Sequence, residues 1–522
     1  MSTDRADARA AFWRALPEDL KGLLRLGFTG KLHLLDVAVR CLRGGQTDLA
    51  EIAGDALNTL AADHPLDGGL AAELLAAEPA AALLAPEAEA RLRVLAAHWA
   101  RPADAAPLLD LLNGRDFART RAFLDRAVRD EPGNLFWREQ AVTTGTVEND
   151  PDFVFACLEA PAPEAVRPVL AVAGERARTL FSPPEPPAPE ELLAAARRAP
   201  WNAGLALRAF DACSGAADLR ELLPGRTAVL LYSWNKADVL DATLSSLLAS
   251  DLTGVSVFVL DNGSTDRTAE VLAHRAGQFA DRLGADRLTT VSLPVNVGAA
   301  AARNWLLHLD AVREHEFCCY LDDDVELPPD WLPRLGAAVR RYPEAGVWGC
   351  KVVDHANPLC IQSADSHLDM DPSVRGDLNR LDPNPFSLTG LHAQTLDTGV
   401  FDFLRPCASV TGCCHLFRTR TLLESGDFAI QLSPSQYDDM EHDLRLCEAG
   451  LFPVYQGHLA VRHKKRTGAA SLTSAQEHGN ALGNKYKMQT MHARADVAAA
   501  LKAEQTLLEA DLLDKLEYLD GV

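Results

Sequence analysis

The sequence predicts an α/β domain preceded by an all-α, helical-repeat-like domain, and three observations carry that reading. Residues 1–180 are rich in Ala, Leu, Glu and Arg, with apolar positions recurring at i, i+3 and i+4, as in Leu108, Leu111 and Leu112 and again in Leu124, Ala127 and Val128. From Arg226 the texture changes to short apolar runs whose starts lie 28, 31 and 29 residues apart. Between the two lies FSPPEPPAPEE, residues 181–191, with five prolines in eleven residues, a composition that favours an extended spacer over helix. At 522 residues the chain exceeds one ordinary core, since domains run to roughly 100–200 residues.

Within the first region, three segments share a helix-forming stretch followed by a polar residue, Pro and Asn or Asp: AADHPLD from Ala61, VRDEPGN from Val128 and RRAPWN from Arg197. Their prolines, at 65, 132 and 200, are 67 and 68 residues apart, about twice the ~34-residue period of tetratricopeptide-like helical pairs. A tetratricopeptide-like array and an irregular helical bundle both fit. Residues 181–225 read as a joint with a linking helix from Glu191 to Ala212. The runs Val229 to Tyr232, Val257 to Leu260, Leu288 to Leu293 and Phe317 to Leu321 read as strands buried on both faces of a mostly parallel sheet, with a helix between each pair. The first such helix carries Leu240, Leu244, Leu247 and Leu248 at i, i+4, i+7 and i+8, one face for the sheet. The α/β domain is taken as 226–468 and residues 469–522 as a C-terminal helical extension. Residues 354–405 fit no regular pattern and contain His355, His367 and His392; long irregular segments inside a domain are usually functional.

Composition narrows the function classes. Lys and Arg number 51 against 73 Asp and Glu, a formal charge of −22 with no basic stripe, which excludes nucleic acid as a partner and suits carboxylates that hold divalent cations. Eleven Cys include no CxxC pair, so free thiols in a reducing compartment are expected rather than a disulfide scaffold or a structural zinc site. The pairs Cys318-Cys319 and Cys413-Cys414 sit in apolar runs and read as small core residues. MSTDRADARAAFW has no uninterrupted apolar stretch for a secretory signal, and no charge-free run reaches the ~18 residues of a membrane span. The expected location is the cytoplasm, with no transmembrane segment and peripheral membrane association left open.

In open α/β sheets ligands bind beyond the carboxyl ends of the strands. After the first strand come Ser233, Trp234 and Asn235, after the second Asp261-Asn262-Gly263-Ser264, and after the fourth Asp322-Asp323-Asp324. The turn YSWNKAD lacks the glycines of GxGxxG, and no P-loop is present. Three carboxylates at the end of a buried strand repel one another unless a cation or hydrogen-bond donors compensate them. Mg²⁺, typically held by one or two carboxylates plus substrate phosphates, is the simplest answer; an acidic surface turn or a cap for the helix near Pro328 is the plainer one.

The ordered set Asp261-Asn262-Gly263-Ser264-Thr265-Asp266, Asn296-Val297-Gly298, Ala302-Arg303-Asn304, LDDDVELPPDWL from Leu321 and TGCCHLFRTRTLLESGDF from Thr411 resembles family 2 glycosyltransferases of the α/β GT-A fold. Asp438 to Arg445 falls in register with that family's E-D-x-D-L-x-L-R, and the resemblance runs from about Arg226 to Arg466. Here Asp438 stands for the usual Glu, Glu441 for the second Asp, and His442 for an apolar residue. The resemblance implies that Ser233 and Asp261 contact the nucleoside, that Arg303 faces the nucleotide, and that Asp322 and Asp324 are the outer residues of the DxD motif, near ribose and metal respectively. It groups Asp323 with the nucleotide-sugar contacts, makes Asp439 the catalytic base, and makes His463 a ligand to Mn²⁺ or Mg²⁺, with His458 close by. Glu441 and Asp443 are neighbouring carboxylates that compete for the base assignment.

The chemistry asks for the same roles, since expelling a nucleoside diphosphate calls for a cation and the acceptor hydroxyl must lose a proton to a carboxylate. The expected function is therefore a metal-dependent inverting glycosyltransferase of hexosyltransferase type, using a UDP-, GDP- or dTDP-sugar and a protein, peptide or cell-surface glycan acceptor. The alternatives are a helical-repeat scaffold with an inactive transferase domain, and a nucleotidyltransferase, whose Gly-rich basic loop YSWNK does not supply.

Overall fold

In the computed structural model, which describes residues 3–43, 49–103, 105–285, 287–371, 373, 375–466 and 475–522, the chain divides into two compact units. One comprises residues 15–187 with 394–398, and the other residues 1–14, 188–393 and 399–522. The Pro-rich stretch is non-helical from Pro183 to Ala188, and the division falls within it. The expected boundary at 468 lies outside the described residues.

Between residues 18 and 181 every regular element described in the first unit is a helix, from Glu18–Leu26 to Arg167–Phe181. The recurring Pro segments have a local cause. Asp67 accepts the Leu70 N–H at 2.8 Å and Asn134 the Phe136 N–H at 3.1 Å, while their own N–H groups close tight turns onto the carbonyls of His64 and Glu131 at 3.2 and 3.0 Å. Each segment is thus a helix end, a turn and a new N-cap. Leu108 packs with Leu124, Val128, Phe136, Trp137 and Phe153, but Leu109 and Leu112 remain exposed, so the expected Leu108–Leu112 face is only partly a core face.

The second unit includes a helix that sequence reading assigned to the region before residue 180. In α1 (Thr3–Ala15), Trp13 is 1% exposed and donates its indole N–H to the Pro200 carbonyl at 2.9 Å, and Arg9 pairs with Asp520. Helix propensity carries no information about which core a helix joins, and so nothing local marks this placement. The helix α2 (Ala203–Ser214) is capped by Asn202, which accepts the Leu205 N–H at 3.0 Å, the third occurrence of the turn-and-cap device.

The sheet follows the expected period. Strands β1 (Thr227–Ser233), β2 (Val255–Asp261), β3 (Leu288–Ser292) and β4 (Phe317–Leu321) run parallel in the order β3-β2-β1-β4. Register sets Ser233 beside Asp261 and Leu231 beside Leu321, so the residues after these three strands emerge at one edge. Helices α3 (Ala237–Ala249), α4 (Thr268–Leu283) and α5 (Ala299–Leu307) intervene, and α6 (Trp331–Arg341) follows β4. Leu240, Leu244 and Leu247 of α3 are fully buried, as the heptad-like spacing requires.

Beyond β4 the sheet turns mixed. The two-residue strand β5 (Val325–Glu326) and β6 (Val347–Asp354) follow, then β7 (Ile361–Ser363), the separate hairpin β8 (Leu368–Met370) and β9 (Phe386–Leu388), β10 (Leu404–Pro406), β11 (Cys414–Arg418) and β12 (Val454–His463). Here β11 is antiparallel between β4 and β6, and β12 is parallel to β6. Helix α7 (Asp438–Glu448) precedes β12, and α8 (Ala475–Met491) and α9 (Arg494–Gly521) complete the described chain. Helix α9 buries Val497, Ala500, Leu508, Leu512, Leu516 and Leu519, a stripe at 3.6-residue period. The fold is an all-helical region followed by a mixed α/β sheet domain, as the sequence predicts.

Candidate active site

The crevice lies where strand order reverses, between β1 and β4, the expected place for a ligand in an open sheet. A cleft of about 510 Å³ opens there, bounded by the ends of β1 and β4, the segment before β11, the start of α7 and the end of β12.

Each strand end presents its polar residues for a local reason. Ser233, 1% exposed, donates its hydroxyl to Asp323 Oδ2 at 2.6 Å. Asp261 accepts the Ser264 N–H at 2.9 Å, and its neighbour Asn262, rather than Asp261 itself, lines the cleft. Asn262 accepts the Val297 N–H at 2.9 Å and donates to Asn296 at 3.0 Å, clasping the loops after β2 and β3 together. Gly263, at φ +77°, must be glycine because a Cβ would meet the Val295 and Asn296 backbone at 2.6–2.9 Å.

The Asp triplet divides three ways. Asp322 is half-buried and accepts the Cys413 thiol at 3.2 Å. Asp323 is buried between Ser233 and Lys236, whose Nζ lies 2.8 Å away; burial pushes its carboxyl up. Asp324 lies 3.0 Å from His463 Nε2 and 3.1 Å from Lys236 Nζ. Burial alone would raise its carboxyl, but the imidazole and the ammonium reverse this and hold it well below the usual range. His463 donates its Nδ1–H to Gln362 Oε1 at 2.7 Å, which fixes the ring with Nε2 toward the carboxylates. The other histidine of this strand, His458, instead pairs with Asp211 of α2 at 2.8 Å.

Arg303, on α5, is buried at 4% exposure against the faces of Tyr232 and Phe428 and pairs with Asp438. Burial opposes its charge, but Asp438 more than restores it. The Asp that stands for the family's Glu therefore has a partner 135 residues away in sequence. Three carboxylates occupy the first turn of α7, where the helix dipole favours them. Asp439 is half-buried and lines the cleft; among the described residues its hydrogen bonds come from the backbone N–H groups of Gly412, at 2.8 Å, and Met440, at 2.9 Å. Glu441 points elsewhere, to Arg445 at 3.1 Å and His492. Asp443, fully buried, accepts Ser409 Oγ and the Val410 N–H, both at 2.9 Å, and His415 at 3.1 Å. His442, where the family pattern has an apolar residue, is buried with its imidazolium strongly disfavoured by burial; its ring packs on Phe428 at 4.7 Å and its Nε2 shares a hydrogen bond of 2.9 Å with Ser425 Oγ.

Sequence reasoning passed over three residues. Lys236 bridges Asp323 and Asp324, Gln362 orients His463, and Cys413, a buried core residue as expected, also borders the cleft. Of the histidines in 354–405, His355 pairs with Glu326, His367 sits in a buried ionic cluster, and none lines the cleft. The donor set suits a divalent ion: one ligand atom each from Asp322, Cys413 and His463 lies within 4.8 Å of the others, with Asp324 alongside. No described helix is long and apolar enough to cross a membrane.

Residues 228–390 match the sequence profile described as Glycosyl transferase family 2. The match includes the Asp triplet and Arg303 and ends before Asp439 and His463. No curated protein matches the chain in sequence. Among solved structures, S. aureus TarS is similar at 18% identity and a TM-score of 0.31, over 46% of this chain and 36% of that one. GalNAc-T7 with UDP, GalNAc and Mn²⁺ gives 13% and 0.37, over 48% and 45%. The mannosyltransferase PcManGT from Pyrobaculum calidifontis, in complex with GDP-Man and Mn²⁺, gives 17% and 0.32, over 62% and 90%. The chain spans less than half the length of the first two.

Proposed function

We propose that this glycosyltransferase, with its family 2 domain over residues 228–390, is a metal-dependent inverting enzyme of hexosyltransferase type that moves a sugar from a UDP-, GDP- or dTDP-sugar to a protein or cell-surface glycan acceptor. The observation that carries the reading is the position of Asp439. Asp438, Glu441 and Asp443 are each engaged by an arginine or an imidazole, whereas Asp439 reaches the cleft held only by backbone N–H groups among the described residues.

In this mechanism Ser233, Arg303, Asp322 and Asp323 serve the nucleotide end of the cleft, Arg303 by holding Asp438 and the end of β4 in place, and Asp261 serves it from behind by holding the turn at Ser264. Asp324 and His463, with Asp322 beside them, would hold Mn²⁺ or Mg²⁺, which when bound neutralises charge on the departing diphosphate. The Asp439 carboxylate, oriented by the Gly412 N–H, takes the proton of the acceptor hydroxyl as its oxygen bonds to the anomeric carbon. The bond from that carbon to the diphosphate breaks in the same displacement, and the nucleoside diphosphate leaves with the electron pair. One displacement inverts the anomeric centre.

The test is a panel of UDP-, GDP- and dTDP-sugars assayed with Mn²⁺, Mg²⁺ or EDTA, followed by proton NMR of the first-formed product. An inverted anomer made only with metal is expected. A retained configuration, or full turnover in EDTA, refutes the mechanism.

A further inference from the structure

We propose that the Cys413 thiol makes this ion site a mixed sulfur, oxygen and nitrogen centre that prefers thiophilic divalent ions such as Zn²⁺ and Co²⁺ to Mg²⁺. The inference rests on the reading that a divalent ion binds in the cleft, and deepens it by naming the ion's class.

Cys413 reaches the cleft through the local chain path. Cys414 opens β11 and is fully buried in the sheet. Cys413, one position earlier, lies in the turn that the Cys414 N–H closes onto the Thr411 carbonyl; it is 6% exposed, packs in the same core cluster as Cys414, and borders the cleft between Gly412, whose N–H holds Asp439, and the end of β4. Its Sγ lies 3.2 Å from Asp322 Oδ2. That oxygen lies 3.9 Å from His463 Nε2, which lies 3.0 Å from Asp324 Oδ1. A tetrahedral ion with bonds of about 2.0–2.3 Å to oxygen, nitrogen and sulfur has ligand-to-ligand edges of roughly 3.3–3.8 Å, which the Sγ–Oδ2 and Oδ2–Nε2 spacings bracket, so Asp322, Cys413 and His463 form a three-donor group that leaves a fourth position to solvent or substrate.

The surroundings prepare the donors individually. Gln362 takes the far nitrogen of His463, as a supporting partner does in an imidazole metal site. Lys236 takes Asp324 Oδ2 and leaves Oδ1 toward His463. Thr411 Oγ1, 3.6 Å from the sulfur, supplies a weak hydrogen bond. Mg²⁺ demands six oxygen-rich ligands, whereas a thiol with an imidazole and carboxylates matches softer ions that accept four. On binding, the Cys413 S–H bond breaks, the sulfur donates its electron pair to the ion, and the proton leaves to solvent with displaced waters.

The experiment uses the full chain without nucleotide. One equivalent of Co²⁺ should give a sulfur-to-cobalt charge-transfer band in the near ultraviolet with ligand-field bands of four-coordinate intensity, and Zn²⁺ but not Mg²⁺ should abolish both. Cys413→Ser should remove the charge-transfer band and weaken Co²⁺ binding by at least about 10- to 100-fold, with Mg²⁺ affinity unchanged. Weak six-coordinate bands alone, or a charge-transfer band that survives in Cys413→Ser, overturn the proposal. X-ray absorption of the wild-type chain with one equivalent of Zn²⁺ decides the matter even if the variant does not fold: a sulfur neighbour at about 2.3 Å supports it, and a shell of nitrogen and oxygen alone refutes it. Metal-dependent turnover without a sulfur neighbour would overturn this inference and leave the transferase reading standing; a sulfur neighbour without turnover on any donor would do the reverse.

Discussion

Asp439 and Asp443 lie four residues apart on one helix, and their replacement by Asn should separate chemistry from stability. Asp443 is fully buried and accepts two hydrogen bonds at 2.9 Å and one from His415 at 3.1 Å. Asparagine preserves its shape but turns one acceptor into a donor facing a donor. Leaving a buried donor without its acceptor costs about 1–3 kcal/mol, and several donors converge on this carboxyl, so a loss near ~3 kcal/mol is expected. In a unit of this size that lowers Tm by on the order of 5 °C. Asp439 is half-buried with backbone partners only among the described residues, so Asp439→Asn should shift stability by ~0.5 kcal/mol or less while lowering transfer about 10²- to 10⁴-fold. Thermal melts read the first effect and product formation at saturating donor the second. If Asp443→Asn melts like wild type but is inactive, or if Asp439→Asn keeps near-full turnover, the assignment of the base is wrong.

Three further outcomes follow from packing and charge. Trp13→Ala should destabilise the α/β unit by about 3–5 kcal/mol, because the ring is 1% exposed among residues of that unit; unchanged denaturant unfolding would remove α1 from it. Gly457→Ala should cost about 1–3 kcal/mol, since a Cβ there would strike the Phe401 and Phe403 backbone; a variant as stable as wild type contradicts that close approach. The buried His367 should make stability pH-dependent. Burial disfavours its imidazolium, yet Asp365 and, on α9, Glu504 outweigh both burial and Arg405 of β10, so its folded value is raised. A raised value adds stability below the unfolded value of about 6.5 and loses it as pH rises through the higher folded one. Denaturant midpoints should therefore fall between pH 6.5 and mildly alkaline pH, less steeply in His367→Gln, and an identical slope in that variant counts against the pairing.

The parts of the fold that repeat locally were readable from sequence. Four apolar runs at a βα period became β1 to β4, and the polar residues after them sit at one edge because parallel register aligns strand ends. What depends on partners distant in sequence was not. Lys236 looks like a generic turn residue until α3 starts beside Asp323 and Asp324, and nothing local to Asp438 announces its pairing with Arg303. His458 and His463 share β12, and only the strand irregularity between Gln456 and Ala460 and the approach of Asp211 separate their surroundings. Cys413 reads as core from its apolar flanks and is core, but hydropathy does not say that this part of the core borders a crevice.

The assignment of α1 to the α/β unit gives the chain an unusual order of assembly. Residues 15–187, which with 394–398 make the other unit, interrupt the α/β unit in sequence, and Arg9 meets Asp520, roughly five hundred residues later. At about 5–20 residues per second, vectorial synthesis separates those two residues by roughly 25 to 100 seconds. Through that interval the helical segment can bury its leucines as they emerge, while the apolar side chains of α1 wait for Pro200, Trp201 and finally α9. A nascent chain of this protein therefore displays Phe12 and Trp13 to the solvent or to chaperones until Pro200 and Trp201 emerge, and its α/β unit closes only after α9 has cleared the exit tunnel.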